Sequence, residues 1–109
     1  MEMTVSEAGD IRIVRFEGRL DGQSAPVAQA ALAEIIGAGA TRILIDFSRL
    51  SFISSSGLRV LMMAAKDVRR RQGALRACNA NATVTAAFEV SGMSAIISLT
   101  TEADALAAF

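Results

Sequence analysis

At 109 residues the chain is long enough for one small domain, and its 52% apolar content, much of it alanine, supports one modest core. Eleven basic residues balance 11 acidic ones, which argues against a general nucleic-acid binder, since such affinity rests on neutralising phosphates. No apolar run approaches the roughly 20 residues of a membrane span, so no direct membrane insertion is expected.

Met3 and Val5 alternate with Glu2, Thr4 and Ser6, which predicts a half-exposed edge strand. Ala8-Gly9-Asp10 is a turn signal. Ile11 to Glu17, apolar at 11, 13, 14 and 16, completes a hairpin. Gly18 to Gly22 is expected to break that strand. Ser24 is placed to cap a helix and Pro26 suits its first turn. Val27, Ala31 and Ile35 share a face by their spacing, with Leu32 and Ile36 beside them. Gly37 and Gly39 end the helix. Arg42 to Phe47 reads as a central parallel strand, apolar on both faces from 43 to 45.

A short loop is then expected, followed by a helix over 55–72 with Leu58, Leu61, Met62, Ala65 and Val68 as its apolar stripe. Arg59, Lys66 and Arg70 fall on its wet side. Residues 49–76 hold seven basic residues and one acidic one; Arg69, Arg70 and Arg71 read as cations that complement the dipole at the helix C-terminus, with a dedicated binding patch as the alternative. Leu75 to Cys78 is a short strand. Asn79 or Asn81 caps a third helix through Val84, Ala87 and Phe88, which Gly92 stops. Ile96 to Leu99 is the last expected strand. Thr101 with Asp104 makes an acidic capping signature for a closing helix that Leu106 and Phe109 dock. The order β-β-α-β-α-β-α-β-α predicts an α/β fold: a mixed sheet of about five strands with an N-terminal hairpin, covered by about four helices, as one domain over 1–109.

Missing residues narrow the chemistry. Without histidine, tyrosine or tryptophan there is no Ser–His hydrolase, and the usual metal sets fail. Gly-Lys-Ser/Thr is absent, so there is no P-loop. No general base for Ser55 is assignable, so neither an enzyme nor a cofactor is expected. The start of the chain lacks the features of a signal peptide, and the single Cys78 excludes an internal disulfide; both point to a cytoplasmic setting.

Ser54-Ser55-Ser56-Gly57 sits where a strand delivers hydroxyls to a helix start, a place of positive potential and unpaired N–H groups. A serine there is a cap, a phosphate ligand or a phosphate acceptor. One hydroxyl suffices for a cap, so three leave a surplus.

Phe52-Ile53-Ser54-Ser55-Ser56-Gly57-Leu58, after Ile43-Leu44-Ile45-Asp46-Phe47, resembles the phosphorylation segment of the bacterial anti-sigma factor antagonists, free-standing STAS domains. Their pattern is an apolar strand ending in Asp, then Asp-Ser-Ser-Gly-Leu at a helix start. Gly18-Arg19-Leu20-Asp21 resembles the family's Gly-x-Leu-Asp. Residues 87–93 resemble its apolar-x-x-x-Gly-Leu ending of the third helix, and residues 101–106 its closing acidic helix. The resemblance implies a phosphoacceptor at Ser55, with Ser56 second. It departs from the family at Ser54, which stands where the family has Asp. It further implies a partner-binding face of Asp21, Gly22, Ser54, Ser56, Gly57, Leu58, Arg59 and Met62. Leu58 and Met62 also read as core by their stripe, and Asp21 equally as a turn or cap residue.

The implied partners are an anti-sigma factor that is also a serine kinase, and a serine phosphatase. The unphosphorylated form binds the first and frees a sigma factor; phosphorylation releases it. Such regulation of transcription by partner switching needs no catalytic machinery in the substrate protein. STAS domains also serve as docking subunits of membrane transport complexes, in which the serine run is only a cap.

Overall fold

A computed structural model describes residues 1–109. Its elements are β1 (Glu2–Ala8), β2 (Ile11–Leu20), α1 (Ala25–Gly37), β3 (Arg42–Ile53), α2 (Ser55–Arg70), β4 (Ala74–Cys78), α3 (Ala82–Ser91), β5 (Leu99–Thr100) and α4 (Glu102–Ala107), with a 3-10 turn at Met93–Ala95. The strands lie in chain order, β1-β2-β3-β4-β5. The β1–β2 hairpin is antiparallel and every later pair is parallel. This is the expected α/β architecture.

The sheet has two covered faces, which explains why β2 alternates imperfectly. Val14 and Phe16 enter the main core with Ile43, Ile45 and Phe47, under α1, α2 and α3. Ile11 and Ile13 join Leu44 and Cys78 in a smaller cluster beneath α4, where Ala105, Leu106 and Phe109 dock as expected. Phe47 meets Phe88 of α3 edge-to-face at 5.7 Å, a contact worth about 0.5–1.5 kcal/mol beyond its area.

Several boundaries differ from expectation. β2 does not break at Gly18; it continues to Leu20, pairing with an equally prolonged β3 that absorbs the expected loop. Register shifts near residues 16 and 18 make this possible, with Gly18 at φ +100° and Ser51 Oγ donating to its carbonyl at 2.9 Å. β5 lies later than the expected 96–99 and shares only Leu99 with it, because Ile97 turns into the core and the Ile96 carbonyl accepts from Arg69 at 3.3 Å.

Two helix faces are also rotated from the sequence reading. α1 buries Ala25, Ala28, Leu32 and Ile36, while Val27 is 64% exposed. α2 buries Gly57, Val60, Leu61, Ala64, Ala65 and Val68. α2 packs on the sheet and on α1 together, so its buried arc shifts toward Val60 and Ala64, and Leu58 and Met62 are only half-buried.

Cys78 lies fully buried. Burial above all, then the charges of Asp46 and Glu102, pushes its thiol up to about 12. A thiol reagent at about pH 8 should leave the native protein unlabelled and label it in denaturant, since only the thiolate reacts; rapid labelling of native protein, followed by mass spectrometry, would contradict this burial.

Candidate functional site

The parallel register places Arg19 beside Phe52 and Leu20 beside Ile53, so β2 and β3 end side by side. Crevices beyond the carboxyl ends of parallel strands are the usual ligand places of α/β sheets. Here the Ser54 N–H donates to the Leu20 carbonyl at 2.9 Å, tying the start of α2 to the end of β2.

Gly57 makes this junction possible. A Cβ there would sit 2.7 Å from the Leu20 carbonyl oxygen and 2.9 Å from Ile53 Cγ1. Any side chain would lift the helix off the strand ends. Gly57 is therefore buried beneath the expected partner face and sets its height instead of forming its surface.

The three serines have different environments. Ser54 is extended, and its hydroxyl accepts the Gly57 N–H at 3.3 Å, the N-cap of α2. Ser56 is half-buried beside Gly22, whose Cβ position lies 3.9 Å from Ser56 Oγ. Ser55 is exposed on the first turn.

Ser55, Leu58, Arg59 and Met62 form one wall of a shallow groove of about 200 Å³, and Ser91 and Met93 form the other. Arg59 is exposed and has no carboxylate within salt-bridge distance. The groove thus offers thioether and leucine surface, hydroxyls and a free cation.

Beside it, the Asp21 segment forms a tight turn. Asp21 Oδ1 accepts from the N–H groups of Gln23 at 3.1 Å and Ser24 at 3.2 Å. The Ser24 hydroxyl does not cap α1 as expected. It accepts from Asp21 N–H at 2.9 Å and donates to the Arg19 carbonyl at 2.8 Å. Asp21 takes over the role of organising the turn, because its carboxylate reaches two N–H groups at once. The Ser24 N–H bond is the main cause that holds its carboxyl below the usual value. The Arg19 guanidinium stacks over Phe52 at 4.2 Å, bracing the turn against β3.

Asp46 belongs to another place. It is 1% exposed, roughly 23 Å along β3 from Ile53 at the usual strand rise, on the face covered by α4. Arg15 Nε donates to Asp46 Oδ2 at 2.8 Å, and Ser48 N–H and Asn79 Nδ2 donate to Oδ1 at 2.9 and 3.1 Å. Asp46, Cys78 and Glu102 have ligand atoms within 4.8 Å of one another. With Asp46 already saturated by donors and Cys78 held as a neutral thiol, they form a poor metal set.

The STAS domain family matches residues 2–105. The chain is 33% identical over 108 residues to BtrV of Bordetella bronchiseptica, a candidate anti-sigma factor antagonist, covering 99% of this chain and 93% of that protein. The chain belongs to the STAS family of anti-sigma factor antagonists. The fold agrees. A candidate antagonist from Thermotoga maritima superposes with a TM-score of 0.90 at 17% identity, over 95% of this chain and 91% of that one. The Bacillus cell fate determinant SpoIIAA, solved in its phosphorylated form, gives 0.74 at 25% identity, with 96% of each chain covered.

Ser54 caps α2 through its hydroxyl. Ser54→Ala should therefore cost about 1 kcal/mol in urea unfolding, and Ser54→Asp should cost nothing or stabilise slightly through the helix dipole. An Ala variant as stable as the parent would remove Ser54 from the cap.

Sequence reasoning missed Ser91 and Met93 as groove residues. They lie far from Ser55 in the chain, and their only local signal was the Gly92 stop, which here adopts φ +79° and turns Met93 back toward α2.

Proposed function

We propose that the chain is an anti-sigma factor antagonist switched by phosphorylation at Ser55. Unphosphorylated, it docks on an anti-sigma factor that carries serine kinase activity, through the groove of Leu58, Arg59 and Met62 and the adjoining Asp21–Gly22 turn. Phosphate on Ser55 releases it, and a serine phosphatase resets it. The domain acts as a binding protein; the kinase supplies base, metal and nucleotide.

One observation carries the choice of residue. Of the three serines, Ser54 has its hydroxyl engaged in capping and Ser56 is half-buried, whereas Ser55 is exposed at the rim of the groove. A rigid helix turn presents it, so a kinase meets a hydroxyl in one orientation.

The test is incubation with the cognate kinase and ATP, followed by peptide mass spectrometry. One phosphate at Ser55 is expected, absent in Ser55→Ala. Phosphate confined to Ser54 or Ser56, or none with a kinase that demonstrably binds, would overturn the assignment.

A further inference from the structure

The two edges of the sheet are unequal. β5 is two residues long and offers little to pair with. β1, at the other edge, runs for seven residues and is bonded to β2 on one side only. Its register is unbroken, from Glu2 opposite Glu17 to Ala8 opposite Ile11. Such an edge is a template for another strand unless proline, lysine, a bulge or a covering element blunts it. β1 has no proline, lysine or bulge, and five of its seven residues are exposed. Its charges, Glu2 and Glu7, stand near its ends and leave Met3 to Ser6 neutral.

Alternation gives the strand two faces. Met3 and Val5 pair with the core residues Phe16 and Val14, on the side that α1 covers. There a groove of about 340 Å³ runs between the strand and α1, with Ala31, Ile35 and Ala38 on its helical wall. Val5 lines it and is 46% exposed. Thr4 and Ser6 belong to the opposite face, beside Arg15 and Ile13. A free sheet edge with an apolar groove alongside is the setting for strand addition. Main-chain bonds then supply affinity, and alternate side chains supply the fit.

The strand's own sequence fits this edge. A two-fold axis through Thr4, perpendicular to the sheet, gives an antiparallel pair of β1 strands. Met3 then faces Val5 of the second copy, and Val5 faces its Met3. Both pairs lie on the groove side, and cross-strand apolar pairs of this kind stabilise a sheet. Thr4 meets Thr4 and Glu2 meets Ser6, so hydroxyls pair and no carboxylate faces another. Glu7 lies outside the paired segment and keeps Arg12 of its own chain at 3.6 Å. A slip by one residue would set Glu2 against Glu7 and bring groove-side residues opposite those of the other face. The pattern thus specifies a second copy of β1 in one register.

We infer that the outer edge of β1 is a homodimer interface, in which residues 2–6 of two copies join their five-stranded sheets into one. So short a contact makes a weak, concentration-dependent dimer. It does not involve α2 and is independent of the Ser55 switch.

The experiment is sedimentation equilibrium of the full chain from about 10 µM to about 1 mM, the range in which a small interface responds. The mean mass should rise from that of one chain toward two. Val5→Lys, checked for fold by circular dichroism, puts a charge into the contact from an exposed position and should weaken dimerisation about tenfold or more. Thr4→Cys, oxidised with diamide, should form a disulfide across the axis, because facing Cα atoms there are about 4.5–5.5 Å apart. Ser6→Cys should not, since its two copies would stand roughly 14 Å apart along the strands. Cys78 is buried and takes no part. A parent chain still monomeric at about 1 mM, which would leave the edge to a strand of another protein, would overturn the inference. So would undiminished dimerisation of Val5→Lys, or Ser6→Cys linking as fast as Thr4→Cys. Ser55→Ala should dimerise like the parent, so failure here is distinct from failure of the switch.

Discussion

Phosphorylated protein is expected to bind its anti-sigma factor about 100- to several-thousand-fold more weakly than unmodified protein, with the fold intact. A phosphate adds about −1.5 to −2 charges. At the start of α2 those charges face the positive helix end, a local gain of ~0.3–1 kcal/mol. Arg59 stands four residues on, one turn away on the same exposed face, and is free to pair with the phosphate. The free domain therefore tolerates the modification. In the complex the same group would be pressed against a partner in the groove, and Arg59 would be drawn from the partner to the phosphate. An unpaired buried charge costs roughly 3–5 kcal/mol, which is the stated loss of affinity. Calorimetric titration of both forms against the purified kinase would measure it. Ser55→Ala should bind within a few-fold of the parent. A difference below tenfold between the two forms, or a phosphorylated domain that unfolds, would end this account of the switch.

The site was legible to different depths because its parts rest on different physics. The serine run, Gly57 and the Gly18–Asp21 segment are local features. Capping and turn chemistry act over three or four residues, so the sequence carries them directly, and Ser54 capping α2 is one outcome. The meeting of the β2 and β3 ends depends on long-range register. There the Gly18 to Gly22 segment read as a break, although Gly18 bends the strand without ending it. Tertiary pairing overrode a local turn signal, and that pairing brings Gly22 against Ser56. The face of α2 was read from its apolar spacing alone. That spacing cannot say that α1 covers one flank, so it read Leu58 and Met62 as core, whereas they are half-buried, packed against the core on one side and lining the groove on the other, the face that the family resemblance implied. Ser91 and Met93 were invisible for a related reason: only the fold carries the end of α3 to the first turns of α2.

The second large effect is on stability. Asp46→Ala should lower the unfolding free energy by about 3 kcal/mol at pH 7. Removing one member of a buried pair costs roughly 3–5 kcal/mol, and the lower end applies because the Arg15 side chain is 41% exposed and regains water. The Ser48 N–H and the Asn79 amide would lose their acceptor at the same time. For a domain of this size the change corresponds to a fall in Tm of roughly 12–24 °C. The effect must also depend on pH in one direction. Burial alone would raise the Asp46 pKa, but the Ser48 N–H, Asn79 and Arg15 bonds together outweigh it, and the net shift is downward. The folded state therefore holds the carboxylate ionised to lower pH than the unfolded chain does. Asp46 contributes fully above the unfolded value of about 3.9, and its contribution fades as pH falls through the lower folded value. The gap between parent and Asp46→Ala should be widest near neutrality and narrow below about pH 4. Arg15→Met should shrink the acid-dependent loss and raise the pH at which it is complete, because Asp46 would keep its two neutral donors and lose its cation, which brings its folded value closer to the unfolded one. Urea unfolding of the three proteins across this range decides the matter: a neutral-pH loss under about 1 kcal/mol, or a gap that widens in acid, would mean that Asp46 is bystander to the fold and that the parallel pairing of β2 and β3 holds without it.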